Sequence, residues 1–173
     1  MKNCFLCLYL ILSVTGIYGQ RISVSNGGWT VPNFNSQKPV EAGSDYQPNY
    51  IESDPNETLL TINNAGVLLP TFHVSVTGPT LPSGLTLKVR RTGGGTAINL
   101  LNLNLGILLG NYSGTPMNQY LTLTTSPQPF FTFSGLALLA SVNNIPIQYR
   151  LEGLSVLVPL DTYNVTVTYT VSP

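Results

Sequence analysis

The sequence predicts an all-β protein, a sandwich of two antiparallel sheets behind an N-terminal leader. Three observations carry this expectation. The segment from Tyr163 to Val171 alternates without a break, with Tyr163, Val165, Val167, Tyr169 and Val171 on one parity and Asn164, Thr166, Thr168 and Thr170 on the other. Such a period of two over β-branched and aromatic residues marks a half-buried strand. Several further short alternating runs follow one another at regular spacing, separated by Gly and Pro, as in a two-sheet sandwich. No run keeps a sustained helical period, and the 16 Gly and 13 Pro punctuate the whole chain.

Met1 and Lys2 precede an apolar run from Phe5 to Val14 and the small residues Gly16 and Gly19. A basic start, about ten apolar residues and a small residue at a cleavage point describe a secretory signal peptide. The run is too short to span a bilayer as a helix. Cleavage is expected after Gly19, leaving residues 20–173 as a single domain, large enough to enclose a core without staples. Cys4 and Cys7 both fall within the leader. Cysteine catalysis, cysteine metal sites and disulfides are therefore not expected, and Cys7 lies too early in the apolar run for a lipid anchor. The expected product is exported, soluble or held at the cell surface, with no transmembrane segment.

Charge is sparse and balanced, with seven Lys and Arg against seven Asp and Glu in 173 residues. That balance gives no electrostatic footprint for nucleic acid or an anionic membrane. Solubility falls to Thr, Ser and Asn, and low charge suits a protein that associates with its own kind.

In chain order, Ile22 and Val24 share one side of a short first strand. The stretch from Gly27 to Glu57 has no clear period, holds most of the acid and is expected to contain a strand or two that cannot be placed. Thr58 to Ile62 reads as a strand. Phe72, Val74 and Val76 alternate with Thr71, His73, Ser75 and Thr77 in the next. Leu85, Leu87 and Val89 alternate with Thr86, Lys88 and Arg90, and Gly93-Gly94-Gly95 then reads as the close of a hairpin. Ile98 to Leu109 changes parity near Leu100 and Leu101, which predicts a bulged strand because Asn99, Asn102, Asn104 and Gly106 disfavour a helix. Tyr120 to Thr124 is strand-like, and Phe130, Phe131 and Phe133 form the densest aromatic group. Gly135 to Val142 reads as a helical turn or an apolar loop. Ile147, Tyr149 and Leu151 alternate with Gln148, Arg150 and Glu152, and Leu154 to Val158 is read as continuing that strand.

The final quarter resembles secreted fimbrial-type subunits of the spore coat U and pilin-like kind. The residues are Ile147-Gln148-Tyr149-Arg150-Leu151, Val156, Val158-Pro159, Thr162-Tyr163 and Val165-Thr166-Val167-Thr168-Tyr169-Thr170-Val171, with echoes in Ala42-Gly43-Ser44-Asp45-Tyr46 and Val89-Arg90-Arg91-Thr92-Gly93. The resemblance covers roughly thirty residues and departs at Asp161, where such subunits carry a turn glycine, and in lacking their disulfide. It implies an immunoglobulin-like, pilin-like sandwich, exported and assembled at the cell surface by strand exchange. Ile22 and Val24 would then form a donor strand, with Val165, Val167 and Tyr169 on the other strand in play. Without exchange, Ile22 and Val24 belong to the domain's own first strand.

Other candidate sites are few. His73 is the one histidine, no glycine-flanked serine accompanies it, and no second ligand supports zinc. The glycine triplet lacks the Lys-Ser/Thr of a phosphate loop. Trp29, Tyr46 and Tyr50 offer stacking faces for a sugar, and Asp54 with Asn56 and Glu57 offers oxygens for calcium. The plainer expectation is that these aromatics plug the ends of the sandwich and the acids face solvent. Three Asn-X-Ser/Thr triplets, at Asn56, Asn111 and Asn164, matter only in a eukaryotic secretory route. The sequence thus points to a non-enzymatic structural or adhesive surface protein without a cofactor, a homo-oligomer or partner of related subunits. The alternative is a recognition module for glycan or calcium.

Overall fold

In the computed structural model the described residues are 20–31, 43–63, 71–99, 111–134, 139–158 and 163–173. The expected leader, residues 1–19, and most of the bulged strand expected at 98–109 lie outside them. The described residues form eleven strands and no helix: β1 Arg21–Ser25, β2 Tyr50–Glu52, β3 Thr58–Asn63, β4 Thr71–Thr77, β5 Thr86–Arg91, β6 Thr96–Asn99, β7 Asn111–Gly114, β8 Leu121–Thr122, β9 Gln128–Ser134, β10 Leu139–Glu152 and β11 Thr168–Ser172.

Two antiparallel sheets share one core, as in a β-sandwich. The larger runs β1-β3-β10-β5-β8, with β2 and β6 also paired to β10, and the smaller runs β11-β4-β9-β7. Leu60, Ile62, Val89, Val142, Ile145 and Ile147 from the larger sheet meet Phe72, Val74, Val76, Phe131 and Phe133 from the smaller, and all are buried. Each such side chain, fully buried, contributes about 1.5–3 kcal/mol. Buried hydroxyls join the layers as well. Tyr149 Oη lies 3.1 Å from Thr58 Oγ1 and 3.0 Å from Tyr169 Oη, so β3, β10 and β11 are tied inside the core. Burial pushes both phenols up, Tyr169 well above its ordinary value.

The 14-residue β10 is the centre of the larger sheet. On one side it pairs with β3 and then β2, and on the other with β6 and then β5. Each flank is thus one line of chain interrupted once, and β10 itself carries two irregularities. Asn143 and Asn144 form a bulge opposite Thr61, with Asn144 at φ +57° and its N–H donating to Thr61 Oγ1 at 3.3 Å. The extra residue changes the parity, so Val142 and Ile145 both face inward. Pro146 follows, and a proline in a central strand lacks one ladder donor. Its carbonyl still accepts from Thr92 N at 3.0 Å, and the flank opposite it breaks at Gly93-Gly94-Gly95. Side chains would not fit there. A Cβ on Gly93 would stand 2.9 Å from Pro146 Cγ, and one on Gly95, at φ +69°, 2.5 Å from the Asn143 carbonyl. On the other flank the gap is filled by Ser53, whose N–H donates to the Tyr149 carbonyl at 3.0 Å and whose Oγ accepts from Tyr149 N at 2.9 Å.

Several expectations are corrected by this arrangement. The glycine triplet closes no hairpin, since β5 and β6 both pair with β10. Leu139 to Val142 is strand rather than helical turn or loop. β10 ends at Glu152, because Gly153 at φ +86° turns the chain and Leu154 to Val158 does not continue it. The last strand begins at Thr168, five residues later than the alternation suggests. The ladder with β4 starts at Thr77, and Tyr163 and Val165 ahead of it are exposed.

Ile147 is wholly buried where β10 passes between β3 and β5. Ile147→Ala is expected to cost about 2–5 kcal/mol, read as a fall in the urea midpoint at unchanged m-value.

Candidate functional site

The outward face of the larger sheet collects five of the few charges in the chain. On β5, and on β10 beyond its bulge, the even-numbered residues point outward, because Leu87, Val89, Ile147 and Tyr149 fill the core. Antiparallel register sets Lys88 beside Arg150, Arg90 beside Gln148, and Glu52 of β2 beside Arg150 on its other flank. Neighbouring strands lie about 4.8 Å apart, so cross-strand groups on one face touch.

The contacts form a continuous network. Arg150 Nε donates to Glu52 Oε1 at 2.7 Å, its Nη2 pairs with the same oxygen, and its Nη1 reaches Glu152 Oε1 at 3.3 Å. Lys88 Nζ pairs with Glu152 Oε2 at 2.6 Å. Tyr120, just before β8, sends its hydroxyl across β5 and β10 to donate to Glu52 Oε1 at 3.0 Å. Its ring therefore lies along the sheet, 4.5 Å from the Arg90 guanidinium carbon and 4.2 Å from that of Arg150. The exposed ring of Tyr50 also takes the Arg150 guanidinium, at 4.7 Å. Such cation–π contacts contribute about 0.5–1 kcal/mol each at exposed sites.

Arg90 differs from the other two cations. Its Nε donates to Gln148 Oε1 at 2.8 Å and its Nη1 makes a long bond of 3.5 Å to the Asn118 carbonyl. Gln148, held in turn on the Ser53 carbonyl at 2.7 Å, fixes the guanidinium in place. Among the described residues Arg90 forms no ion pair. Arg91 beside it points inward, buried over the rings of Tyr112 at 4.1 Å and Phe131 at 5.0 Å. Burial pushes the Tyr112 phenol up to about 12.

The electrostatics follow from the geometry. Burial alone raises the Glu52 carboxyl, but the bonds from Arg150 and Tyr120 outweigh it and hold the group below the usual glutamate value. The Lys88 hydrogen bond does the same for Glu152, helped by Arg150. Burial and the Glu52 bond push the Tyr120 phenol up. The two carboxylates thus stay ionised at neutral pH.

Of the candidate ligand-binding residues Trp29, Tyr46, Tyr50 and Asp54, only Tyr50 belongs to this face. Trp29 stacks on Tyr149 at 6.3 Å and packs against the core, on the opposite side of the sheet. Tyr46 is half-buried in the segment before β2, where its N–H donates to Asp45 Oδ1 at 2.8 Å. Asp54 opens a turn closed by Glu57 N on its carbonyl at 3.1 Å, and among the described residues no group of three potential ligands gathers for a metal. Ile22 packs on the core while Val24 is 53% exposed. Val165 is exposed, Val167 is half-buried against the core, and Tyr169 is buried. His73 lies on the outer face of the smaller sheet, its Nδ1 at 2.9 Å from Thr132 Oγ1. There Val74, Gln128, Phe131 and Thr132 line a shallow depression of about 350 Å³.

Compared with protein-family models, curated proteins and solved structures, the chain matches none. No helix among the described residues is long and apolar enough to cross a membrane.

Because Glu52 and Glu152 titrate lower when folded, their stabilisation is present above the unfolded value of about 4.3 and is lost as pH falls through the folded values. The melting temperature is expected to drop as pH is lowered from about 5 to about 3. The double variant Glu52→Gln, Glu152→Gln should show a shallower drop when both are followed by calorimetry.

Proposed function

We propose that the chain is an exported, non-enzymatic structural or adhesive protein of the cell surface. In this reading it is an immunoglobulin-like, pilin-like subunit that joins copies of itself or related subunits by strand pairing. The observation that supports it most directly is β1. This strand closes the larger sheet through β3 alone, its other edge pairs with nothing among the described residues, and Ile22 is its one side chain that reaches the core. Exposed strand edges are usually shortened, charged or covered. Here one basic residue, Arg21, guards five residues that also carry exposed Val24. β11 ends the smaller sheet and lies against β1, so two open edges meet along one side of the sandwich. The resemblance of the closing thirty residues to fimbrial-type subunits supports the same reading. Against catalysis stands the setting of His73, an exposed strand residue bonded to a threonine.

A second reading, a secreted recognition module, draws on the ion-paired and aromatic face around Tyr120. The two are compatible, since the edges and the face are different surfaces.

Removing residues 21–25 from the mature chain is expected to leave a folded monomer and to abolish self-association in size-exclusion chromatography with light scattering. A peptide spanning Gln20 to Gly27, added in trans, should bind that truncated chain and raise its melting temperature. Association that persists at the wild-type level after truncation, with the fold intact by circular dichroism, overturns strand pairing through β1.

A further inference from the structure

The outward face of the larger sheet has properties that its internal ion pairs do not use up. Three cations, Lys88, Arg90 and Arg150, stand against two carboxylates, Glu52 and Glu152, and every ion pair formed goes to Lys88 or Arg150. The positive charge left over sits on Arg90, in a fixed orientation. Gln148 holds its Nε, while Nη2 has no hydrogen bond among the described residues and Nη1 has only the long one to Asn118. A guanidinium fork held this way matches a carboxylate, which accepts two parallel bonds from it. Next to the fork lies the ring of Tyr120, held by its bond to Glu52 with both arginine guanidiniums over the ring. Tyr50 adds an exposed ring against Arg150. Hydrogen bonds fix Arg90 and Tyr120 before any ligand arrives, which lowers the ordering cost of binding.

We propose that this face is a binding site for a carboxylated saccharide, the carboxylate paired with Arg90 and the sugar ring laid against Tyr120. The ring of a pyranose presents a face of C–H groups whose partial positive charge suits the negative face of an aromatic ring. Its hydroxyls suit Asn118 and the carboxylate oxygens of Glu52 and Glu152, which accept hydrogen bonds. A nucleic acid fits less well, because it requires several cations for its phosphates, and the face offers an excess of one. An acidic peptide lacks a flat amphipathic face to lay on Tyr120. The proposal supplies a ligand class for the adhesive part of the reading above. It does not depend on strand pairing: a monomeric truncated chain that still binds sugar leaves it standing, and an assembling chain that binds none overturns it alone.

The test is titration of the full mature chain with trigalacturonate, followed by calorimetry and by amide shifts in NMR. Its methyl ester, a sulfated galactan oligosaccharide, a Glu-rich peptide and a short single-stranded DNA serve as competing arms. Trigalacturonate is expected to bind at least tenfold more tightly than the methyl ester, with shifts centred on Tyr50, Arg90 and Tyr120. Arg90→Gln should weaken it at least tenfold, and Tyr120→Leu likewise. Tyr120→Phe, which keeps the ring, should weaken it no more than about threefold. His73→Ala, on the other sheet, should leave binding unchanged. Equal binding of acid and ester, preference for the sulfated sugar, peptide or DNA, no binding at all, or an unaltered affinity in a folded Arg90→Gln variant would each overturn the proposal.

Discussion

The structure depends on one strand carrying an irregular backbone through the middle of a sheet. β10 pairs on both sides, so its bulge at Asn143 and Asn144 and its missing donor at Pro146 have to be answered by the neighbours rather than by water. The answers are local and different. On one flank a run of glycines lets the backbone step past the proline ring. On the other the β3 ladder absorbs the bulge and continues to Ile147, and Ser53 then supplies a hydroxyl to Tyr149 N where β3 gives way to β2. Because each flank breaks once and then resumes, the inward side chains stay in line on both sides of the break. The hydrophobic core and the charged outer face are two consequences of that same alignment.

The two sheets divide the labour of solubility unevenly. The larger sheet carries a cross-linked ionic surface of Glu52, Lys88, Arg90, Arg150 and Glu152. The smaller sheet presents Thr71, His73, Thr132, Thr168 and Thr170, four of them hydroxyls. Setting five of the 14 Lys, Arg, Asp and Glu residues on one face makes the two outer surfaces chemically distinct.

How much of this was legible in the sequence follows from parity. β3, β4 and β5 keep an unbroken alternation between core and solvent, and the boundaries read from them hold to within a residue or two. β10 does not. Val142 and Ile145 face the same way although they are three apart, so a period of two places them on opposite faces and splits one strand into a loop and a shorter strand. The closing strand errs in the other direction. Its alternation runs on through Tyr163 and Val165, but the ladder begins where β4 ends, at Thr168 opposite Thr77. The ionic face was hidden for another reason. Its members lie at 50–52, 88–90, 120 and 148–152, and each by itself reads as an ordinary solvent position. The available signal was that Lys88-Val89-Arg90 and Gln148-Tyr149-Arg150-Leu151-Glu152 are rare alternating charged runs in a chain with 8% charged residues. Their register decides that they meet, and register is a property of the fold.

The stacking of Trp29 on Tyr149 has a practical consequence. The chain has a single tryptophan, and it rests nearly parallel to a ring of the central strand, whose next residue is Arg150 of the ionic face. Indole emission therefore reports on the sandwich interior from one known place, without any added dye.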